Sequence, residues 1–307
     1  MSQEPISEGV RDDRVWWPAR ITAIVIIPIL TAAFVILYLF PFHTRRLWAW
    51  TINPTMSALF MGAGYLSGAY FFVRVATAKQ WSRVGHAFIC VTVFAAMLGI
   101  GTFVHWDRFN HDHVSFWAWL LLYTSTPFLL PWLWWRNKRT DPGTLAPGDR
   151  EVPLAVRRIM AVVGALQLGF AAVLFLRPTA ITSNWPWPLT PLTARSLSAY
   201  AAFPAVGYLI FAFEKRWSAL QILIEIPMVA LPLIGIAAIR AHAEFEGADL
   251  LVWGWRIGLV AAWALLASLW LAMRRPVLPL PGGEGGQGGE AAPAAAIPLQ
   301  PADQPGQ

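Results

Sequence analysis

Eight apolar runs constrain this chain more than any other feature, because a helix needs roughly 20 consecutive apolar residues to cross a hydrocarbon core of about 30 Å. The runs cover residues 21–40, 55–75, 85–104, 114–135, 159–176, 197–213, 219–239 and 251–273. Polar and basic segments separate them. Composition excludes a water-soluble globule by the same logic: 57% of residues are hydrophobic and 13% charged, against roughly 25% charged in an average soluble domain. The sequence therefore predicts an all-α integral membrane protein of eight transmembrane helices, with the lipid bilayer as its solvent. Pro28, Pro127, Pro131, Pro204, Pro227 and Pro232 fall inside the runs. Membrane helices tolerate such breaks where neighbours satisfy the freed carbonyls, so kinks are expected there and not boundaries. The first run is too long for a signal-peptide core and reads as a retained span.

Basic residues set the orientation. With the N-terminus cytoplasmic, sixteen of the 23 Lys and Arg fall on that side, including Arg20, Arg74, Arg136, Lys138, Arg157 and Arg216. Arg45, Arg46, Arg108, Arg177, Arg195 and Arg240 fall opposite, and Arg256 lies within the eighth run. This predicts a multi-pass protein of the cell membrane with both termini cytoplasmic. The same distribution accounts for the net charge of +6 without a nucleic-acid partner, because the basic residues form no concentrated stripe. The lone Cys90 allows neither a disulfide framework nor a thiolate metal cluster.

The chain also repeats itself. One constant offset places Arg20 on Arg157, Pro41 on Pro178, Trp48 on Trp185, Trp50 on Trp187 and Pro54 on Pro191. After a one-residue deletion, Trp81 meets Trp217, Ser82 meets Ser218, Gly99 meets Gly235, Phe109 meets Phe245, Trp117 meets Trp253, Trp119 meets Trp255 and Trp134 meets Trp270. Each unit holds an even number of spans, so both enter the membrane in the same sense, implying a pseudo-two-fold axis along the membrane normal. The expected organisation is a cytoplasmic segment 1–20, a first four-helix repeat 21–135, a cytoplasmic linker 136–158 containing Pro147, a second repeat 159–273 and a disordered cytoplasmic tail 274–307, too poor in bulky apolar residues to fold. Two four-helix bundles should face each other.

Intramembrane charges usually mark function or a buried partner. Glu225 in the seventh run should meet His86 or Arg74 near the inner face, while Arg256 should reach outward to Asp107, Glu244 or Glu246. These four, Glu225, Arg256, His86 and Arg74, are the candidates for binding a ligand or ion. A second group, His43, His105, Asp107, His111 and His113, lies on the outer side and has the imidazole and carboxylate chemistry that binds a divalent transition metal. If the 105–113 loop continues its helix, Asp107 and His111 share a face. The matching loop of the second unit carries His242, Glu244, Glu246 and Asp249. A polar cap on a short surface loop is the favoured reading of this group, with the metal site as the alternative. The Trp pairs at outer span ends, Trp48 with Trp50, Trp117 with Trp119, Trp185 with Trp187 and Trp253 with Trp255, are expected to anchor at the headgroup level, a ligand-stacking cage being the alternative. Gly64 and Gly68, echoed by Ala201 and Ala205, allow close helix approach.

Eight spans as two tandem four-helix units resemble haem A synthase in architecture. That family places haem-ligating histidines within paired helices of each unit. The second, fourth, sixth and eighth runs here hold none, so haem is not supported and the activity does not carry over. No phosphate-cradling loop, serine-nucleophile motif or HExxH pair is present, and the balance leans away from an enzyme. Three functions stay open: binding or passage of a small molecule or ion at the seam between bundles, a metal-binding or metal-dependent protein using the outer cluster, and a non-catalytic structural or assembly subunit acting with a membrane-protein partner or as a homo-oligomer.

Overall fold

The computed structural model describes residues 12–146, 148–182, 184–245 and 250–274. Most of the N-terminal segment, Pro147, Glu246, Asp249 and the tail beyond Arg274 lie outside the described residues. Among the described residues there are eight long helices and no extended strand. They are α1 (Trp17–Leu39), α2 (Thr55–Thr77), α3 (Gly85–Val104), α4 (Val114–Lys138), α5 (Leu154–Leu176), α6 (Pro191–Ile210), α7 (Trp217–Arg240) and α8 (Leu250–Arg274). The last turns of α1, Val35–Leu39, are a π-helix. All six intraspan prolines lie within helices, as expected of apolar segments with packed neighbours.

Six of the eight are long and apolar enough to cross a membrane: α1, α2, α3, α5, α7 and α8. The protein is thus a helical, multi-pass membrane protein. The other two are less apolar for different reasons. Helix α6 carries Thr193, Arg195, Ser196 and Ser198 because that part of it is packed among neighbours, with Thr193, Ser196 and Ser198 all buried. Helix α4 dilutes its apolar residues with Ser, Thr and Pro, yet turns Leu121 and Phe128 outward, 70% and 77% exposed. The consecutive hydroxyls of Thr124, Ser125 and Thr126 all return to backbone carbonyls one turn back, which lowers the cost of placing them in an apolar setting. The expected boundaries shift most at the sixth apolar run, whose helix begins at Pro191 and ends at Ile210, with 211–213 forming a turn. Pro191 sits at the first helical position, where its missing N–H costs nothing, behind the Thr190 cap.

Consecutive helices pair as hairpins, α1 with α2, α3 with α4, α5 with α6 and α7 with α8. Across the chain halves, α2 packs on α7 and α3 on α6. Small residues make these approaches close. A Cβ on Gly99 of α3 would lie 2.6 Å from the Tyr123 carbonyl of α4, and one on Gly164 of α5 would lie 2.7 Å from the Ala205 carbonyl of α6. The outer helices α1, α4, α5 and α8 leave apolar faces open, among them Val25, Leu121, Leu166 and Val260, which suits contact with acyl chains.

Contacts recur at the positions that match between the two halves. Asp13 accepts from the backbone N–H and hydroxyl of Ser82, and Asp149 does the same for Ser218. Arg20 donates to the Ala76 and Ala78 carbonyls at the end of α2, and Arg157 to Phe211 and Ala212 after α6. Both arginines satisfy carbonyls that a helix end leaves without partners. Trp50, Phe109 and Trp119 form an aromatic cluster with Trp48, and Trp187, Phe245 and Trp255 form one with Trp185, with ring centroids 4.9–6.3 Å apart.

These clusters correct the expectation that the outer Trp pairs anchor at the headgroups. Trp48, Trp50, Trp119 and Trp187 are at most 6% exposed, whereas Trp117 and Trp253 are more than half exposed. The buried rings fill the space where the helix hairpins diverge. That is a packing task, worth about 0.5–1.5 kcal/mol per aromatic pair beyond area burial.

Candidate ligand cavity

A cavity of about 280 Å³ lies among the inner helices α2, α3, α6 and α7, and every one of the eight helices contributes to its wall. Gly64 and Gly68 of α2 thin the wall: a Cβ on Gly64 would collide with the Tyr200 ring at 2.1 Å. Phe60, Phe94, Phe203 and Leu231 make most of the surface apolar. Among the described residues that line it, none is charged and none is histidine.

Three phenols enter this wall from three helices, Tyr65 of α2, Tyr123 of α4 and Tyr200 of α6. Each sits about ten residues from the N-terminal end of its helix, roughly 15 Å along the axis at 1.5 Å per residue. The Tyr65 and Tyr123 hydroxyls bond each other at 2.9 Å. The Tyr200 hydroxyl is buried beside that pair and within hydrogen-bonding reach of Tyr65, so the three phenols form one cluster. Trp185, also in the wall, has its indole N–H buried and unpartnered. Ser67 donates to the Gly64 carbonyl, Thr126 to Leu122, and Gln167 uses one amide N–H on Ala201 across to α6.

The four charged or titratable candidates read from the sequence lie outside this wall. Glu225 is 7% exposed and accepts four hydrogen bonds. Arg74 and Tyr70 of α2 reach Oε2, while Gln221 of α7 at 2.6 Å and Trp270 of α8 at 3.2 Å reach Oε1. Arg74 and Glu225 are an ion pair. His86 does not join them. It meets Glu214 at 3.1 Å, which also binds Arg216, itself paired with Asp141 in the linker. Burial pushes the Glu214 carboxyl up, but hydrogen bonds from His86 and Arg216 outweigh it and hold the group far below the ordinary carboxylate range. Arg256 does not reach Asp107 or Glu244. Its guanidinium stacks over the Phe245 and Trp253 rings, 4.9 and 5.4 Å from their centroids. Glu244 instead accepts from the Thr55 and Met56 N–H groups at 2.8 and 2.6 Å, capping the N-terminus of α2 from the other half of the chain.

The metal candidates do not converge, and among the described residues no three His, Cys, Asp or Glu side chains gather at metal-binding distance. The cause is local backbone geometry. Helix α3 ends at Val104, a single 3₁₀ turn covers Trp106–Arg108, and Phe109 is extended, so Asp107 and His111 never share a helical face. His105 Nε2 accepts from the Arg195 guanidinium at 2.7 Å, since arginine can only donate. Burial and that neighbouring charge push the His105 pKa down. His113 Nδ1 caps α4 by accepting from the Ser115 N–H. His111 is packed against Trp106 and Phe116, Asp107 pairs with Arg108, and His43 lies edge-on to Phe40.

The chain was compared with family models, curated proteins and solved structures. It matches none of them. The site therefore rests on its own residues. Sequence reasoning passes over the phenols, although part of the signal is there: Tyr65 and Tyr123 fall in the middle of apolar runs, away from the interfaces that tyrosine prefers, whereas Tyr200 is only the fourth residue of its run.

Proposed function

We propose that this chain crosses the bilayer eight times, as two related units of four spans with both termini cytoplasmic, and that it binds a small uncharged lipophilic molecule in the cavity between them. The repeated Asp–Ser, Arg–carbonyl and four-ring aromatic contacts support the relation of the two halves. The excess of Lys and Arg at one set of helix ends supports the orientation.

One observation carries the binding reading: an uncharged, largely apolar cavity of about 280 Å³ to which all eight long helices contribute. Counting one non-hydrogen atom per water-sized volume of ~30 Å³, the space takes a molecule of about ten such atoms. An ion route through Glu225 is the weaker reading, because both carboxylate oxygens are already occupied by four donors.

Xenon tests the cavity itself, since apolar cavities of this size take up xenon or benzene. The ¹²⁹Xe resonance of protein in lipid nanodiscs should show a protein-bound component that Ala201→Leu removes by filling the space. Identical spectra for wild type and Ala201→Leu would end this reading.

A further inference from the structure

A second cavity, of about 270 Å³, opens where α3 begins and α4 and α6 end, and it shares no lining residue with the first. Part of its wall is apolar: Ile89 of α3, Trp134 of α4, Ile210 of α6 and Phe213 in the turn that follows. Phe213 is 89% exposed at the end of a lipid-facing hairpin, which suits contact with acyl chains.

The rest of the wall offers a cation and N–H donors. Lys138 lies 4.6 Å over the Trp134 ring and makes no ion pair among the described residues. Gly85 and His86 open the 20-residue helix α3, whose first N–H groups have no acceptor within the helix and carry the positive end of its dipole. Trp81 supplies an independent observation. It is 1% exposed, lines the cavity, and holds its indole nitrogen 2.7 Å from where a Gly85 Cβ would stand. That N–H can only donate, no acceptor among the described residues meets it, and unlike the Trp185 indole it is not sealed off. The acidic member of the wall, Asp141, already accepts from Arg216 at 2.6 and 3.0 Å. Ser82 and His86 are engaged with Asp13 and Glu214.

We infer that this cavity binds the phosphodiester of a membrane phospholipid, whose oxygens accept from Lys138, Trp81 and the first turn of α3 while the start of an acyl chain lies against Ile89, Ile210 and Phe213. Helix N-termini with nearby donors are anion sites on general grounds, and a Trp–Lys pair at span ends sits at headgroup level. At ~30 Å³ per water-sized volume the space takes about nine non-hydrogen atoms, the size of a phosphate with its glycerol. Free phosphate would use the donors and leave the apolar wall uncovered. At the matching positions of the other half Gln221 stands for Gly85 and Glu225 for Ile89, and a carboxylate there would repel a phosphate, so one such site is expected. The inference does not depend on the occupant of the first cavity.

The probes are 1-palmitoyl-2-oleoyl phosphatidylglycerol, the diacylglycerol with the same chains, and inorganic phosphate. Full-length protein, delipidated in detergent, is titrated with each, and bound copies are counted by native mass spectrometry. Wild type should hold the phospholipid about tenfold more tightly than the diacylglycerol. Lys138→Gln should weaken phospholipid binding about tenfold, the ordinary worth of one hydrogen bond to a charged group. Arg139→Gln, whose guanidinium stacks on Trp135 outside the cavity wall, should leave it unchanged. The ¹⁵N-labelled indole resonance of Trp81, assigned by its loss in Trp81→Phe, should shift with phospholipid and not with diacylglycerol. Equal retention of the two lipids, or equal losses in Lys138→Gln and Arg139→Gln, would overturn the site in favour of a general surface-charge effect. Inorganic phosphate binding as tightly as the phospholipid, with the same Trp81 shift, would overturn the lipid assignment.

Discussion

The Glu225 carboxylate joins three helices, and its removal can be worked through quantitatively. In wild type its two oxygens serve Arg74 and Tyr70 of α2, Gln221 of α7 and Trp270 of α8. Glu225→Ala leaves all four donors without that acceptor. Breaking a buried ion pair from one side costs about 3–5 kcal/mol, because the surviving charge stays desolvated. Here the Arg74 side chain is 33% exposed and can recover part of its hydration, which lowers the expectation to about 2–4 kcal/mol. The neutral donors add little, since hydrogen bonds inside membranes average about 0.6 kcal/mol. Arg74→Met leaves the carboxylate stranded at 9% side-chain exposure and should cost at least as much. The double variant Arg74→Met with Glu225→Leu removes both charges and replaces them with apolar volume. It should be more stable than the sum of the single losses predicts, with a coupling of about 1–3 kcal/mol. Reversible unfolding of the four proteins in mixed lipid–detergent micelles measures each term. Additivity within about 0.5 kcal/mol, or a Glu225→Ala loss under about 1 kcal/mol, would refute the buried clamp.

Three further outcomes follow from particular contacts. Gly99→Ala forces a methyl against the Tyr123 backbone carbonyl and should cost about 1–3 kcal/mol, whereas Gly101→Ala, whose Cβ meets nothing within 4 Å, should be neutral or slightly stabilising; thermal unfolding of the pair separates them. Glu214 has a folded pKa below its ordinary 4.5, so its contribution is fully present above that value and is lost as pH falls through the folded value. Stability measured from about pH 7 down to about pH 3 should therefore decline less steeply in Glu214→Gln than in wild type, and parallel curves would contradict the assignment. Asp112 is exposed beside the α4 cap, so Asp112→Cys in a Cys90→Ala background should react with a membrane-impermeant thiol reagent only from the extracytoplasmic side, and labelling only from the cytoplasmic side would overturn the proposed orientation.

Much of the architecture could be read directly from the chain, because lipid enforces simple rules. A backbone in hydrocarbon must satisfy its own hydrogen bonds, so an apolar run of sufficient length becomes a helix whatever its neighbours do. This is why the eight runs and the eight long helices coincide, and why the prolines do not end them. Similar contacts are made at residues that match in type along the chain, such as Arg20 with Arg157 and Trp50 with Trp187.

Side-chain partnership was decided by tertiary packing. From the sequence, Glu225 was equally near His86 and Arg74, and only the pairing of α2 with α7 gives it Arg74, while the turn after α6 delivers Glu214 to His86. The histidine-rich loop had the composition of a metal site, but one extended residue, Phe109, drawn in among Trp50, Phe116 and Trp119, scatters its would-be ligands. The cavity is a tertiary property altogether. Tyr65, Tyr123 and Tyr200 are far apart in the chain, and nothing periodic marks them as neighbours. They meet because hairpins packed through glycines close the helix contacts on either side and leave space between, a consequence of how eight surfaces fit together and not of any one of them.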